Sequence, residues 1–531
     1  MSEFSFNLVN EPWIPCIMPD GSRKEYGLKD VLLNAPKIRE VYDPSPLVTV
    51  ALHRLLLAIL HRNFGPKDDK SWKALWQKGC WDREILEKYF SEWRGRFDLF
   101  DSQKPFYQTA KVPFEDYKKP SSKIIQELAS GNNSTLFDHT SDNIPPEILP
   151  AEAARVVVAF QAFALGGLIK QGVSDKEAPL VGKAVVILKG DNLFQTLMLN
   201  FHHYNADGEV PFRSEKDKPC WERDEDTEAK ERNLDGYLDL LTWQSRSIRL
   251  KPERVDGKLV VRYVALWKGY RFPKGFSLYK KETMVPFRKK KKAGPDEEPW
   301  SPVHFQEDRA LWRDSLSLFQ SVDEEQSRPK MMDWVSDLLG WEKENFLNCR
   351  VIPVDVLGLS NNKAKPLFWR HERLPLPLSY LKDEKLVDEL KKALSLAEDV
   401  AISLQNILKK KMAKELGLIK GGDRKSENDI LSNKAKRIYW SRLEVPFKEL
   451  LVNLPNDKIV EYGDENQSSQ WAKKIRNTAE EAFDYACDTL GTDARVLKTV
   501  TKFKNEFRTR VSGAVTEFRD KVMKIIGNPT G

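Results

Sequence analysis

Over the last third of the chain, apolar residues recur at every third or fourth position. Segments near 382–416, 427–454, 471–490 and 493–526 keep this spacing, which lines apolar side chains along one face of a helix. Gly417, Gly421-Gly422, Pro455, Gly463 and Gly491 fall between them. Four such segments joined by modest loops predict a four-helix bundle. Upstream the pattern is mixed. Residues 46–62 and 152–168 read as buried helices, the second broken by Gly166-Gly167, with residues 170–183 as loop. Residues 184–188 form a continuous apolar run expected to be a buried strand. Asp191 is then expected to cap a helix reaching about Tyr204. Two β-like runs, 248–250 and 259–266, flank Val255-Asp256-Gly257-Lys258, and Asp-Gly between such runs predicts a hairpin. Residues 205–233 read as a charged surface insertion and 307–339 as two helices. The predicted class is α+β: a large mixed α/β domain over residues 1–375, then a four-helix bundle over 376–531.

At the junction, a β-like apolar run over 351–359 breaks into the polar loop Ser360-Asn361-Asn362-Lys363-Ala364-Lys365. It closes on the bulky, basic Trp369-Arg370-His371-Glu372-Arg373. Asn and Lys at a tight tip can reach phosphates and base edges. The same residues also suit an ordinary turn, since Asn tolerates left-handed backbone.

With 531 residues the chain is too long for one hydrophobic core. A net charge of +7 permits nucleic-acid binding without demanding it. The run Arg288-Lys289-Lys290-Lys291-Lys292 is either a solvated loop or a nucleic-acid contact. Five scattered cysteines without a CxxC pair exclude a zinc ribbon and a disulfide framework, and they suit a reducing cytoplasm. The opening residues lack a signal-peptide pattern. The apolar runs at 47–60 and 156–168 are interrupted by His53, Arg54 and Gln161 and fall short of a membrane span. No Walker loop, GxGxxG, HExxH, GxSxG or His-Asp doublet occurs. His202-His203 point different ways on a helix, and Asp224-Glu225-Asp226 sits among solvated charges. A binding or assembly protein is therefore expected rather than an enzyme, with no metal and no cofactor.

Several stretches together resemble one family. FNLVNEPWIPC at the start, KPFYQT, STLFDH, LTWQSRSIRL over 241–250, and NNKAK followed by WRHERLPLP resemble, in the same order, the large subunit of Cascade, the type I-E CRISPR surveillance complex (the CasA family). The resemblance covers nearly the whole chain. It implies a mixed α/β domain followed by a helical bundle. It also implies a non-catalytic subunit that reads the protospacer-adjacent motif on double-stranded DNA, helps open the duplex for R-loop formation and helps recruit a nuclease-helicase. Guide pairing reads the remaining sequence. The implied partners are the guide-RNA ribonucleoprotein with its backbone and small subunits, double-stranded target DNA with its displaced strand, and the nuclease-helicase.

Residue by residue, the resemblance places a guide and complex contact loop at Leu136, Phe137 and Asp138. The family's glycine-rich minor-groove loop falls at Gly166 and Gly167, with Lys170 close by. A glycine backbone approaches a groove floor that a Cβ would block, and a helix C-cap is the other reading. Lys268, with Lys274 behind it, is the lysine implied to enter the minor groove. The strand-separating wedge falls at Asn362, Lys363 and Ala364, with Lys363 where some relatives carry glutamine. Lys409, Lys410, Lys411 and Lys414, with the stripe Arg495, Lys498 and Lys502, are expected to meet DNA backbone or simply to solvate a helix face. Two alternatives stay open: a helical scaffold without a nucleic-acid role, and a metal-dependent nuclease.

Overall fold

The computed structural model describes residues 4–128, 145–170, 173–204, 212–225, 227–294, 297–307, 309–320, 326–339, 351–417, 428–457, 466–488 and 490–526. Contacts among them divide the chain into two compact units. The first takes in residues up to 310, 326–339 and 353–373; the second holds Leu311–Gln320 and the residues from Leu374 onward.

The first unit is built around α1, Pro46–Phe64, which starts where Ser45 Oγ accepts from the Val48 amide and Pro46 sits in the first turn. Pro at that position loses no intrahelical hydrogen bond. By length and composition α1 could cross a membrane, a longer helix than the sequence pattern predicts. Most of it (83%) is instead buried inside the unit. It packs beside α2, Pro150–Phe163. α2 stops at Phe163 with Ala164 as its C-cap, so the predicted helix to 168 is too long. The two glycines neither break nor cap it. Gly167 instead opens β1, Gly167–Lys170, which pairs antiparallel with β2, Val173–Asp175, where a loop is predicted.

β3, Val185–Leu188, is buried throughout, as its continuous apolar run requires. The next helix, Leu193–Leu199, is capped by Asn192 rather than Asp191 and stops short of Tyr204. β4, Arg246–Val255, and β5, Lys258–Lys268, form the predicted hairpin. Its two turn residues, Asp256 (φ 49°) and Gly257 (φ 78°), are both left-handed, the geometry Asp-Gly favours. The first two residues of the basic run lie in a strand, Phe287–Lys289, rather than a loop. β6, Val351–Asn362, and β7, Lys365–Pro377, complete a sheet of order β7-β6-β3. Val354 opposes Leu188 and Leu357 opposes Val185. The strands run on through the expected polar loop and leave only Lys363-Ala364 as the turn.

The second unit is a bundle of α3, Glu384–Gln405, α4, Asn428–Asn453, α5, Gln467–Cys487, and α6, Ala494–Ile526. Leu390, Ala393, Leu394, Ala397, Val400 and Leu404 of α3 are buried at helical spacing. Two polar groups buried against α3 are paired with it: Trp471 Nε1 donates to Ala393 O (2.9 Å) and Tyr439 OH to Ala397 O (3.0 Å). The segment before the bundle joins its core, with Trp312 stacked on Phe447 and Arg313 paired with Glu398 at 2.8 Å.

Among the described residues of the first unit, His53, His61 and His202 are buried. Burial, with Lys189 nearby, holds His53 down to about 4. Burial holds His202 down to about 3 and His61 well below its ordinary value. Each stays neutral in the fold while the unfolded chain takes up a proton below about pH 6.5. Their stabilisation is therefore complete above that pH and is lost as pH falls toward the folded values. Asp217, raised to about 6 by burial, works in the opposite direction, as do Asp43, Glu152 and Asp337, whose carboxyls burial also raises. The fully buried histidines are expected to dominate and make the first unit less stable at pH 5 than at pH 6. Thermal denaturation at the two pH values reads this; a transition that does not move contradicts the account.

Candidate nucleic-acid interface

The β6–β7 tip is exposed at Asn362, Lys363 and Ala364. Lys363 holds a φ of 54°. This left-handed conformation costs a lysine about 1–2 kcal/mol, so the surroundings must enforce it. Asn361 Nδ2 donates to Lys363 O (2.9 Å) and bridges the turn. Ser360 Oγ donates to Phe305 O (3.3 Å) below it.

The base of the same hairpin is fixed by charge. Asp355 of β6 accepts from Arg373 of β7 (2.6 Å) and lies 3.2 Å from His371. Lys189, just after β3, reaches Glu40 at 3.0 Å and Asp355 at 3.9 Å, and Arg373 also reaches Glu40 at 2.7 Å. Burial by itself would raise the Asp355 carboxyl. Hydrogen bonds from Arg373 and His371 and the charge of Lys189 override this and hold it well below the usual carboxylate range. Removing one partner from so buried a set leaves an uncompensated charge, at a cost of about 3 kcal/mol. The tip is thus the end of a stiff, anchored rod.

The glycine strand faces that tip. Gly167 has a φ of 141°, and a Cβ built on it would stand 2.9 Å from Ala364 Cβ. Gly182 (φ 71°) lies in the same way against Asn361. Gly167 and Gly182 therefore leave room for the hairpin, and the wedge and glycine candidates form one surface. Lys170 ends β1 and pairs with Val173; its side chain lies outside the described part.

The lysine candidate is tied to this surface through a residue the sequence reading did not single out. Lys268, half-buried at the end of β5, pairs across the hairpin with Arg246 of β4. The Arg246 guanidinium is buried. It donates to Leu165 O (3.0 Å) and Lys176 O (2.8 Å), on either side of the β1–β2 hairpin, and lies 3.2 Å from Asp175 Oδ2. A rigid fork with five donors suits this clamp. Arg246 lies inside LTWQSRSIRL, but nothing in the sequence links it to Asp175. Lys274 is exposed in the turn beyond.

Leu136, Phe137 and Asp138 lie outside the described residues. In the second unit the two basic groups come together. Glu415 accepts from Lys502 (2.6 Å) through its side chain and from Arg495 (3.0 Å) through its carbonyl, and Lys411 pairs with Glu506. Lys410, Lys414 and Lys498 are exposed beside them. Among the described residues no group of three or more His, Cys, Asp or Glu side chains is arranged to hold a metal. His202 is buried against His61 and Tyr237.

Residues 7–482 match the family model described as CRISPR-associated protein Cse1. The chain belongs to the Cse1/CasA family. It is 33% identical over 517 residues to the CRISPR-associated protein CasA/Cse1 of Thermus thermophilus, covering 94% of this chain and 96% of that one. The crystal structure of Thermus thermophilus CasA overlays with a TM-score of 0.79 at 30% identity, over 96% of this chain and 100% of that one. A chain of a CRISPR RNA-guided surveillance complex overlays with a TM-score of 0.76 over 95% of this chain and 99% of that one; at 21% identity it shows the fold alone. The Cse1/CasA assignment agrees with the mixed α/β region followed by a helical bundle, and it makes the chain a large subunit of the type I-E Cascade complex.

Proposed function

We propose that this subunit reads a short motif on double-stranded DNA through Gly166, Gly167 and Lys268, and separates the first base pair beside it with Asn362, Lys363 and Ala364. The observation that carries this reading is the close approach of Gly167 to Ala364. A backbone suited to a groove floor and a rigid basic tip sit side by side, so reading and opening act on neighbouring base pairs. The minor groove offers a degenerate code, so several motifs are tolerated. The subunit is non-catalytic, works in the cytoplasm, and helps recruit the nuclease-helicase once the R-loop has formed. Ribonucleoprotein assembled with this chain is expected to form R-loops on motif-bearing duplex, and the same ribonucleoprotein without it is not. Equal R-loop formation without the chain would overturn the proposal.

We also propose that the bundle face carrying Lys410, Lys414 and Lys498 holds DNA backbone. These cations are exposed beside Lys411 and Lys502, whose charges are already spent on Glu506 and Glu415. Reversing Lys410, Lys414 and Lys498 together is expected to weaken R-loop retention and reduce its salt slope by about two to three. An unchanged slope makes the face a solvated brace.

A further inference from the structure

A cleft on the first unit adjoins the surface described above, sharing Arg246 and Lys176 with it. Its volume is about 570 Å³ and it opens beside Lys268, beginning at Tyr270 and reaching Lys176 just past β2. Two stacked ring pairs line it: Phe272 on Phe276 with centroids 4.0 Å apart, and Tyr279 on Trp300 at 4.6 Å. All four residues are partly exposed, and Phe272 also meets Trp243 with centroids 4.5 Å apart. The same lining carries Lys176, Lys183, Arg246, Arg271 and Lys274 against Glu177 and Glu298. Lys274 is exposed at the mouth, and the buried Nε of Arg271 has no hydrogen-bond partner among the described residues.

Stacked rings with interleaved cations suit one ligand chemistry. An unpaired nucleobase offers a flat π-face to the rings, and its flanking phosphate offers oxygens to Lys274 and Arg271. A cleft of this volume takes a whole nucleotide. A purely apolar ligand would leave the exposed Lys274 unmet, and an inorganic anion would leave the rings unmet.

We infer that this cleft binds an unpaired nucleotide, with its base against Phe272–Phe276 or Tyr279–Trp300 and its phosphate at Lys274 and Arg271. The site adjoins the motif-reading surface, rests on that reading and deepens the same function. His304 on its lining meets Gly182, which lies against Asn361 below the tip, so an extruded base has somewhere to go, which opposes re-pairing. An opened DNA strand and a single-stranded part of the guide RNA share this chemistry.

The test uses the purified full chain and a single-stranded DNA hexamer carrying 2-aminopurine at its centre. Stacking quenches the probe. Wild type is expected to give saturable quenching, and Trp300→Ala with Phe272→Ala to weaken binding at least about tenfold. Thermal unfolding checks that these variants are folded. Lys274→Glu, at an exposed position, disturbs no packing; it is expected to weaken binding and flatten its salt dependence while leaving the quench at saturation intact. No saturable quenching by wild type, or affinity unchanged in both the aromatic and the Lys274→Glu variants, overturns the assignment. A matching RNA hexamer that competes equally makes the guide a source of the nucleotide; one that competes poorly leaves the DNA strand. No motif or ribonucleoprotein is present, so failure here leaves duplex reading untouched, and failure of duplex reading leaves this result standing.

Discussion

Replacing Asn362 with alanine and Lys363 with glycine is expected to slow R-loop formation on fully paired DNA at least about tenfold, since unstacking one step costs a few kcal/mol and about 1.4 kcal/mol is a factor of ten in rate. Glycine is the correct replacement at 363 because the native φ of 54° is free to glycine and strained for alanine. The variant therefore removes the side chain and keeps the turn. The Lys363 stem can slide past a displaced base and set its ammonium near phosphate. A target carrying a pre-melted bubble beside the motif already supplies the opening, and its rate should stay near wild type. Single-turnover R-loop kinetics on both targets measure this. An equal defect on both would recast the tip as a binding contact.

The second large effect is expected at Gly167. Valine there brings a Cβ to within 2.9 Å of Ala364 in a backbone at φ 141°, a conformation that β-branched residues avoid. Affinity for motif-bearing duplex should fall at least about tenfold, the scale on which a single specific contact counts, with little change on motif-free duplex. Adding Ala364→Gly removes the clash with the hairpin, although the strain of valine at φ 141° remains. Full recovery would mean that Gly167 serves packing alone.

The helices from α3 to α6 were legible because burial on one face imposes a 3.6-residue period over many turns. The β4–β5 hairpin was legible because Asp256-Gly257 names its own turn. The β6–β7 tip was found as a polar break, yet its extent was misjudged. Asn361 and Asn362 look like loop, and only the pairing of both strands carries the ladder through them. Gly166-Gly167 looked like the end of a helix because residues 164–168 continue the apolar run of α2. What ends that helix at Phe163 is tertiary: Arg246, eighty residues on, holds Leu165 O and Lys176 O and draws the chain into a hairpin. Such a clamp has no local signature, and neither has the set formed by Glu40, Lys189, Asp355 and Arg373, whose members come from distant parts of the chain. The aromatic cleft was hidden likewise, since Phe272, Phe276, Tyr279 and Trp300 are brought together only by the fold.

The most direct test of duplex opening by the tip places 2-aminopurine in the first base pair beside the motif and uses a guide that cannot pair with the target. With guide pairing removed, any rise in fluorescence reports unstacking by protein alone. The complex with the wild-type chain is expected to raise the signal on motif-bearing duplex, and the Asn362→Ala, Lys363→Gly variant is expected to bind the same duplex without raising it. An equal rise from both would contradict a strand-separating role for these residues.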